Sequence, residues 1–143
     1  GIRNTPKTNN FDFEFKKYKN IFLKLDIEGA EFPLFNSFSF HNLKKIKQIV
    51  AEFHFPNTEE KWHALQKITK THYLVHYHAN NNNPKLYNIN HKTIPAVFEC
   101  TYVRKDLLDN PELNKEPFPT KLDARNTYGK LDYLIDCPPW VHK

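Results

Sequence analysis

Acidic, imidazole and amide side chains recur where apolar runs of this chain end. The stretch FLKLDIEGAEF, residues 22–32, closes one such run with Asp26, Glu28, Gly29 and Glu31. Later runs end in a second group of polar residues: Glu52, His54, His76, His78, Asn80 and Asn81. Side chains two positions apart in a strand share a face, so Asp26 lies on the side of Glu28, and Glu52 on the side of His54. Carboxylates and imidazoles are the groups that move protons or bind metal ions.

A structural explanation is available for each of these residues taken singly. Glu28 or Glu31 would favour the positive N-terminus of a helix that follows Gly29, and Glu99, inside a strand-like run, is expected to be a structural ion-pair partner. Burying a carboxylate costs several kcal/mol unless it is paired. The gathering of so many such groups at strand ends therefore indicates a site.

The elements that must position these groups are read from apolar patterns. Residues 21–27, 46–55, 71–78 and 94–105 are predicted strands, because they are rich in β-branched and aromatic residues. Residues 57–70 have helical spacing, with Asn57 or Thr58 as the cap. A second helix is expected over 30–45, with Pro33 in its first turn. The order predicts an α/β fold in which two parallel strands with a crossover helix are followed by an antiparallel hairpin.

Three parts are expected along the 143 residues. Residues 1–19 alternate phenylalanine with charged residues around Phe11, Phe13 and Phe15, which predicts an edge strand or a packed arm. Residues 20–105 form the α/β core, and residues 106–143 form a proline-rich tail packed on it. Ligands of parallel sheets bind outside the carboxyl ends of the strands, where the polar groups lie.

Composition narrows the classes of partner. The net charge is +5, but Lys and Arg are spread along the chain, so nucleic acid is not the expected partner. The apolar runs are too short to cross a bilayer, so no membrane partner is expected. Two cysteines, Cys100 and Cys137, are too few for a disulfide framework and favour a reducing compartment such as the cytoplasm.

Metal binding is possible without being required by the spacing. Asp26, Glu28, Glu52 and His54 offer the ligand types that a divalent ion accepts. A zinc site at His76 and His78, with His72 and His91 nearby, is less expected than hydrogen-bonded packing, since no cysteine lies close to them.

The stretches FLKLDIEGAEF, IVAEFHF, HYLVHYHANNN and IPAVFECTYVR together resemble the carboxyl half of FkbM-type methyltransferases. The family's aliphatic-Lys-aliphatic-Asp-aliphatic-Glu-Gly-Ala-Glu motif is matched by Lys24, Asp26, Glu28, Gly29, Ala30 and Glu31. The resemblance covers about residues 18–105. It implies a partial Rossmann-like class I sheet, with the four strands here as the fourth to seventh of seven. It further implies S-adenosylmethionine as methyl donor and a hydroxyl of a sugar or small metabolite as acceptor.

In the scheme that the resemblance implies, a general base takes a proton from the acceptor hydroxyl. The candidates for that base are His54, then Asp26, then His78. The cofactor would contact Asp26, Glu28 and Gly29, with Glu28 and Glu31 ordering the turn. The acceptor would contact Glu52, Asn80 and Asn81.

The chain departs from the family pattern on the cofactor side, where it lacks the second-strand acidic residue that holds the ribose in family members. With 3 glycines it has no glycine-rich cofactor turn of the kind that the family carries earlier in its sequence. It also has no methionine and begins with Gly1, so we expect a piece of a longer protein, with a missing N-terminal half or another chain covering the open edge at residues 21–27. Two alternatives remain open: a non-catalytic structural or interaction module derived from a methyltransferase fold, and a metal-dependent nuclease.

Overall fold

A four-stranded mixed sheet carries the polar strand ends of this protein. The computed structural model describes residues 11–55, 59–89, 92–138 and 140–142. The helices are α1 (Asp12–Lys17), α2 (Glu31–Ser37), α3 (Phe40–Leu43) and α4 (Glu59–Thr69). The strands are β1 (Ile21–Leu25), β2 (Ile46–His54), β3 (His72–Ala79), β4 (Leu86–Ile89), β5 (Lys92–Pro95) and β6 (Val97–Arg104). A 3-10 turn, Lys105–Leu107, follows β6.

The sheet runs in the order β1-β2-β6-β3, with β1 parallel to β2 and β6 antiparallel to both of its neighbours. The predicted α/β class, the parallel pair and the antiparallel pairing of β3 with β6 are confirmed. The last strand lies between β2 and β3 rather than at an edge. Because β6 is inserted there, the carboxyl ends of β1, β2 and β3 all point to the same rim of the sheet.

One face of the sheet forms the core, because alternate residues of each strand are apolar. Leu23, Leu25, Ile49 and Phe53 are buried, while their neighbours Phe22 and Lys24 are exposed. Helices α2 and α4 pack against each other on the buried side, where the aromatic rings of Phe32, Phe35, Phe53, Phe55 and Phe98 lie within 6 Å of one another in neighbouring pairs. The opposite face carries polar residues, and the tail contacts both faces, since Trp140 stacks on the core residue Tyr77 and Asp123 contacts His76.

Of the two predictions for the segment before β1, an edge strand or a packed arm, the edge strand is wrong, because residues 12–17 form the helix α1. A helical turn brings Phe11 and Phe15 to the same side, and both rings pack on Phe38, with Phe15 at 4.9 Å between centroids. Phe13, on the other side, is exposed. Packing on Phe38 therefore favours a helix in this segment, although its sequence alternates as a strand would.

Three other local predictions need correction. The helix predicted over 30–45 is two short helices, since Phe38 is extended and Ser39 caps the second helix by accepting from the Asn42 amide. The alternation of β3 is interrupted by an irregularity between Leu74 and His76, after which three consecutive residues are buried. The polar connection before β6 contains the hairpin β4–β5, which uses the start of the predicted fourth strand. The proposed caps Asn57 and Thr58 lie outside the described residues.

The tail packs on β3 and β6 without forming a regular element of its own. The Trp140 ring stacks on Tyr77, with 4.1 Å between centroids and 17° between planes. Phe118 and Ile135 pair in an isolated antiparallel bridge. Cys100 is buried and Cys137 exposed, and both are free thiols. Among the helices of the described ranges, none has the length and apolarity needed to cross a bilayer.

Candidate active site

The rim formed by the ends of β1 and β2 gathers three of the predicted side chains. Asp26 follows the last residue of β1, and Glu52 and His54 lie in the last three residues of β2. Glu31, the first residue of α2, completes the group. One ligand atom from each of Asp26, Glu31 and His54 lies within 4.8 Å of the others. The parallel pairing of β1 with β2 therefore brings Asp26 and His54 together.

The turn between β1 and α2 is built around the carboxylate of Glu31, which is fully buried. Its Oε1 accepts from the Ile27 amide at 3.0 Å, and both of its oxygens accept from the Gly29 amide, at 3.2 and 3.1 Å. The backbone must bend sharply to present these donors, and it does so with φ of 53° at Glu28 and 98° at Gly29. A glycine meets the second value without strain. Glu31 therefore orders this turn from within.

His54 lies between two carboxylates. Its Nδ1 is 3.3 Å from Oε1 of the buried Glu31, in hydrogen-bonding geometry. Its Nε2 is 3.3 Å from Oε2 of Glu28, an ion-pair distance. The His54 side chain is 24% exposed and that of Glu28 is 84% exposed. One nitrogen of the ring is thus held from inside the protein, and the other faces the rim.

Glu52 connects this group to the end of β3. The side-chain nitrogen Nδ2 of Asn80 donates to Glu52 Oε1 at 2.6 Å. The side-chain oxygen Oδ1 of Asn80 accepts from the backbone N–H of Asn82 at 2.8 Å. Burial raises the pKa of the Glu52 carboxyl. The hydrogen bond from Asn80 acts in the opposite direction, whereas the negative charge of Asp26 raises the pKa further. The rim therefore concentrates negative charge.

His78 and Asn81 lie on the far side of the rim, where the tail contacts them. His78 Nε2 is 3.7 Å from Asp132 Oδ1, and Asp132 Oδ2 is 3.8 Å from Arg125 Nε. The Asn81 side chain accepts from the Thr127 amide at 2.8 Å and donates to two carbonyls of the same segment. The structure does not bring these two residues to His54, and the roles given to them stay predictions.

The histidines of β3 have partners that explain their positions. His76 Nε2 is 2.7 Å from Asp123 Oδ1, and His72 contacts the Thr71 hydroxyl and the Ile46 carbonyl. Burial lowers the pKa of the His72 imidazole. His91 lies outside the described residues. Within the described part of the chain, the cluster suited to a metal is the one at Asp26, Glu31 and His54.

Sequence reasoning missed the partners that the tail supplies and the contact between Glu31 and His54. Asp123 and Asp132 come from a segment without any periodic pattern, so no local signal pointed to β3. Glu99, expected to pair with a basic residue, instead accepts a hydrogen bond from the Asn126 amide at 2.5 Å. The spacing of Glu31 after Gly29 was visible, but which strand it faced depends on the parallel pairing of β1 with β2.

The donor set at the rim offers the ligand types that a divalent cation accepts, although Glu31 is already engaged with the backbone. Oxygen and imidazole ligands suit such an ion. The oxygens of Glu31, however, already accept from the amides of Ile27 and Gly29. These contacts describe a carboxylate that organises a turn and orients a histidine.

Comparison with known proteins gives the class. The model of the Methyltransferase FkbM domain matches residues 5–102, which is more than half of the chain. The chain therefore belongs to the FkbM methyltransferase family. No curated protein and no solved structure matches it.

Proposed function

We propose that this chain forms the acceptor side of an S-adenosylmethionine-dependent O-methyltransferase that acts on a hydroxyl of a sugar or small metabolite. The family membership supports methyl transfer. The rim at the carboxyl ends of β1 and β2 supports transfer to oxygen, because it offers a partly exposed imidazole beside carboxylates. Proton removal from a hydroxyl needs such a group within hydrogen-bond reach.

The observation that carries the proposal is the meeting of Asp26 and His54. They end two neighbouring parallel strands, and their ligand atoms lie within 4.8 Å. Glu52 lies beside them in a partly buried position, where desolvation and the negative charge of Asp26 raise the pKa of its carboxyl.

When bound, S-adenosylmethionine supplies an electrophilic methyl group on a positively charged sulfur. The negative charge of the rim would suit that positive charge, and Asp26, Glu28 and the backbone at Gly29 would contact the cofactor. In this scheme His54 Nε2 would take the proton of the acceptor hydroxyl while the methyl group passes from sulfur to that oxygen, leaving S-adenosylhomocysteine. Glu52 and Asn80 orient the acceptor by hydrogen bonds, since in-line alignment is a large part of the rate.

The sheet order supports a Rossmann-like arrangement whose remaining strands would continue from β1. The outer edge of β1 is unpaired among the described residues, with Phe22 exposed beside it. We propose that this edge is covered by an N-terminal half of the same protein or by another chain, because open edges invite further strand pairing.

The test uses the natural full-length protein. Calorimetry with S-adenosylmethionine is expected to show binding, and turnover with candidate hydroxyl acceptors is expected to release S-adenosylhomocysteine. His54→Gln should lower kcat by about 100-fold or more, as expected for loss of a general base. The matched control is His41→Gln, since His41 is exposed in α3 away from the rim. A folded protein that does not bind S-adenosylmethionine would instead support a non-catalytic module.

A further inference from the structure

We propose that Glu31 is a positioning residue that holds the ring proton of His54 on Nδ1 and so leaves Nε2 as the base. This inference rests on the proposed function and adds to it the element that would determine which ring nitrogen reacts. It also assigns a place to Glu28, which faces Nε2 before an acceptor enters.

The position of Glu31 is fixed by the backbone. Its side chain has no solvent exposure, and the amides of Ile27 and Gly29 hold its two oxygens. Charge-assisted hydrogen bonds of this kind are stronger than neutral ones. The carboxylate is therefore a rigid feature of the turn, and the ring of His54 must adapt to it.

The proton on His54 follows from the chemistry of its partner. An ionised carboxylate only accepts hydrogen bonds, and a neutral imidazole has one N–H and one lone pair. With Nδ1 at 3.3 Å from Glu31 Oε1, the N–H belongs on Nδ1. The reverse arrangement would place a lone pair against a buried negative oxygen, which is unfavourable in a poorly solvated site.

The other nitrogen is then free to act as a base. Nε2 lies 3.3 Å from Glu28 Oε2, and the Glu28 side chain is 84% exposed. An exposed side chain exchanges rotamers readily, so an acceptor hydroxyl can replace it. After proton transfer, the imidazolium lies between two carboxylates that stabilise its charge.

Four acidic side chains and one lysine lie around His54. Asp26, Glu28, Glu31 and Glu52 contribute negative charge at the rim. Lys61 contributes the positive charge, with its Nζ 3.2 Å from the backbone carbonyl of His54. Because Glu31 is the buried member that contacts the ring directly, its removal should affect the ring more than removal of an exposed acid.

The first experiment reads the tautomer without reference to activity. Long-range 1H–15N NMR of the imidazole in the full-length protein, at a pH where the ring is neutral, is expected to show the proton of His54 on Nδ1. Glu28→Asn, a residue that tolerates the left-handed backbone at position 28, should leave it there. A proton on Nε2 in the wild-type protein would overturn the inference.

The second experiment reads the reaction. Glu31→Gln should lower kcat by about 100-fold with little change in KM, because the variant keeps the shape of the side chain but loses the charge that orients the ring. Glu116→Gln, an exposed residue of the tail, is the matched control. A folded Glu31→Gln protein with the wild-type kcat would overturn the inference.

The two proposals fail in different ways. A wild-type protein that transfers methyl groups but has its ring proton on Nε2 contradicts the positioning role alone. A wild-type protein that has the proton on Nδ1 but transfers no methyl group contradicts the proposed function, and with it the role of His54 as base. If Glu31→Gln does not fold, the wild-type tautomer decides the matter.

Discussion

The side chain of Asn80 donates to Glu52 at 2.6 Å, so the ends of β3 and β2 are joined across the strand that separates them. Glu52 is therefore held in place although burial and the neighbouring Asp26 both disfavour its charged form. A carboxylate that lies at a sheet rim despite desolvation and a neighbouring negative charge is more typical of binding and catalytic sites than of other surfaces.

Glu52→Gln should stabilise the protein at neutral pH. The raised pKa means that the fold favours the protonated carboxyl, so the stability that Glu52 contributes is present at low pH and is lost as the pH rises above the ordinary value of 4.5. The glutamine oxygen still accepts from Asn80. We expect a rise in Tm of about 1–3 °C at pH 7 that disappears near pH 4, measured by calorimetry. Equal Tm differences at both pH values would contradict the shift.

Gly29→Ala should destabilise the fold through backbone strain. At φ of 98°, an L-residue is strained, and no atom lies within 4 Å of the position of an added Cβ, so contact is not the cause. The cost should be about 1–2 kcal/mol, measured by urea unfolding. Gly129→Ala is the matched control, with φ of 84° and equally open space. Both variants should lose similar stability, but Gly29→Ala alone should impair methyl transfer, because its amide holds Glu31.

Asn81→Ala should loosen the tail where it crosses the end of β3. The Asn81 side chain is buried. It donates to the backbone carbonyls of Thr127 and Lys130 and accepts from the backbone N–H of Thr127, which makes three hydrogen bonds. Losing them should cost about 1–2 kcal/mol, since part-buried hydrogen bonds each contribute roughly 0.5–1 kcal/mol. Hydrogen exchange should accelerate at residues 123–133. Asn88→Ala, at an exposed position of β4, should change nothing. Unaltered exchange at Thr127 would mean that other contacts hold the tail.

Much of the fold follows from short-range patterns in the sequence. The strands β1 and β2 are rich in β-branched and other apolar residues, and the helix α4 repeats Trp62, Leu65 and Ile68 on one side, so each is specified by its own residues. The insertion of β6 between β2 and β3 is different. It depends on hydrogen bonds between distant segments, which composition and spacing do not encode locally.

The candidate site shows the same division. Asp26 and His54 were found because parallel strands end at one rim, a rule that needs only the strand order. The partner of His76 could not be found in this way, since Asp123 lies 47 residues later in a segment without periodicity. The alternation of β3 likewise failed where the strand becomes irregular after Leu74, because such irregularities arise from pairing rather than from sequence period.

The most direct test of the account is to locate the bound cofactor product on the full-length protein. In a titration with S-adenosylhomocysteine followed by 1H–15N NMR, amide shifts are predicted at residues 26–31 and 52–54, with weaker changes at Asn80. The account would be contradicted if the folded protein showed no binding, or if the shifts fell elsewhere, for example at the cavity of about 490 Å³ lined by Val75, Leu113 and Trp140.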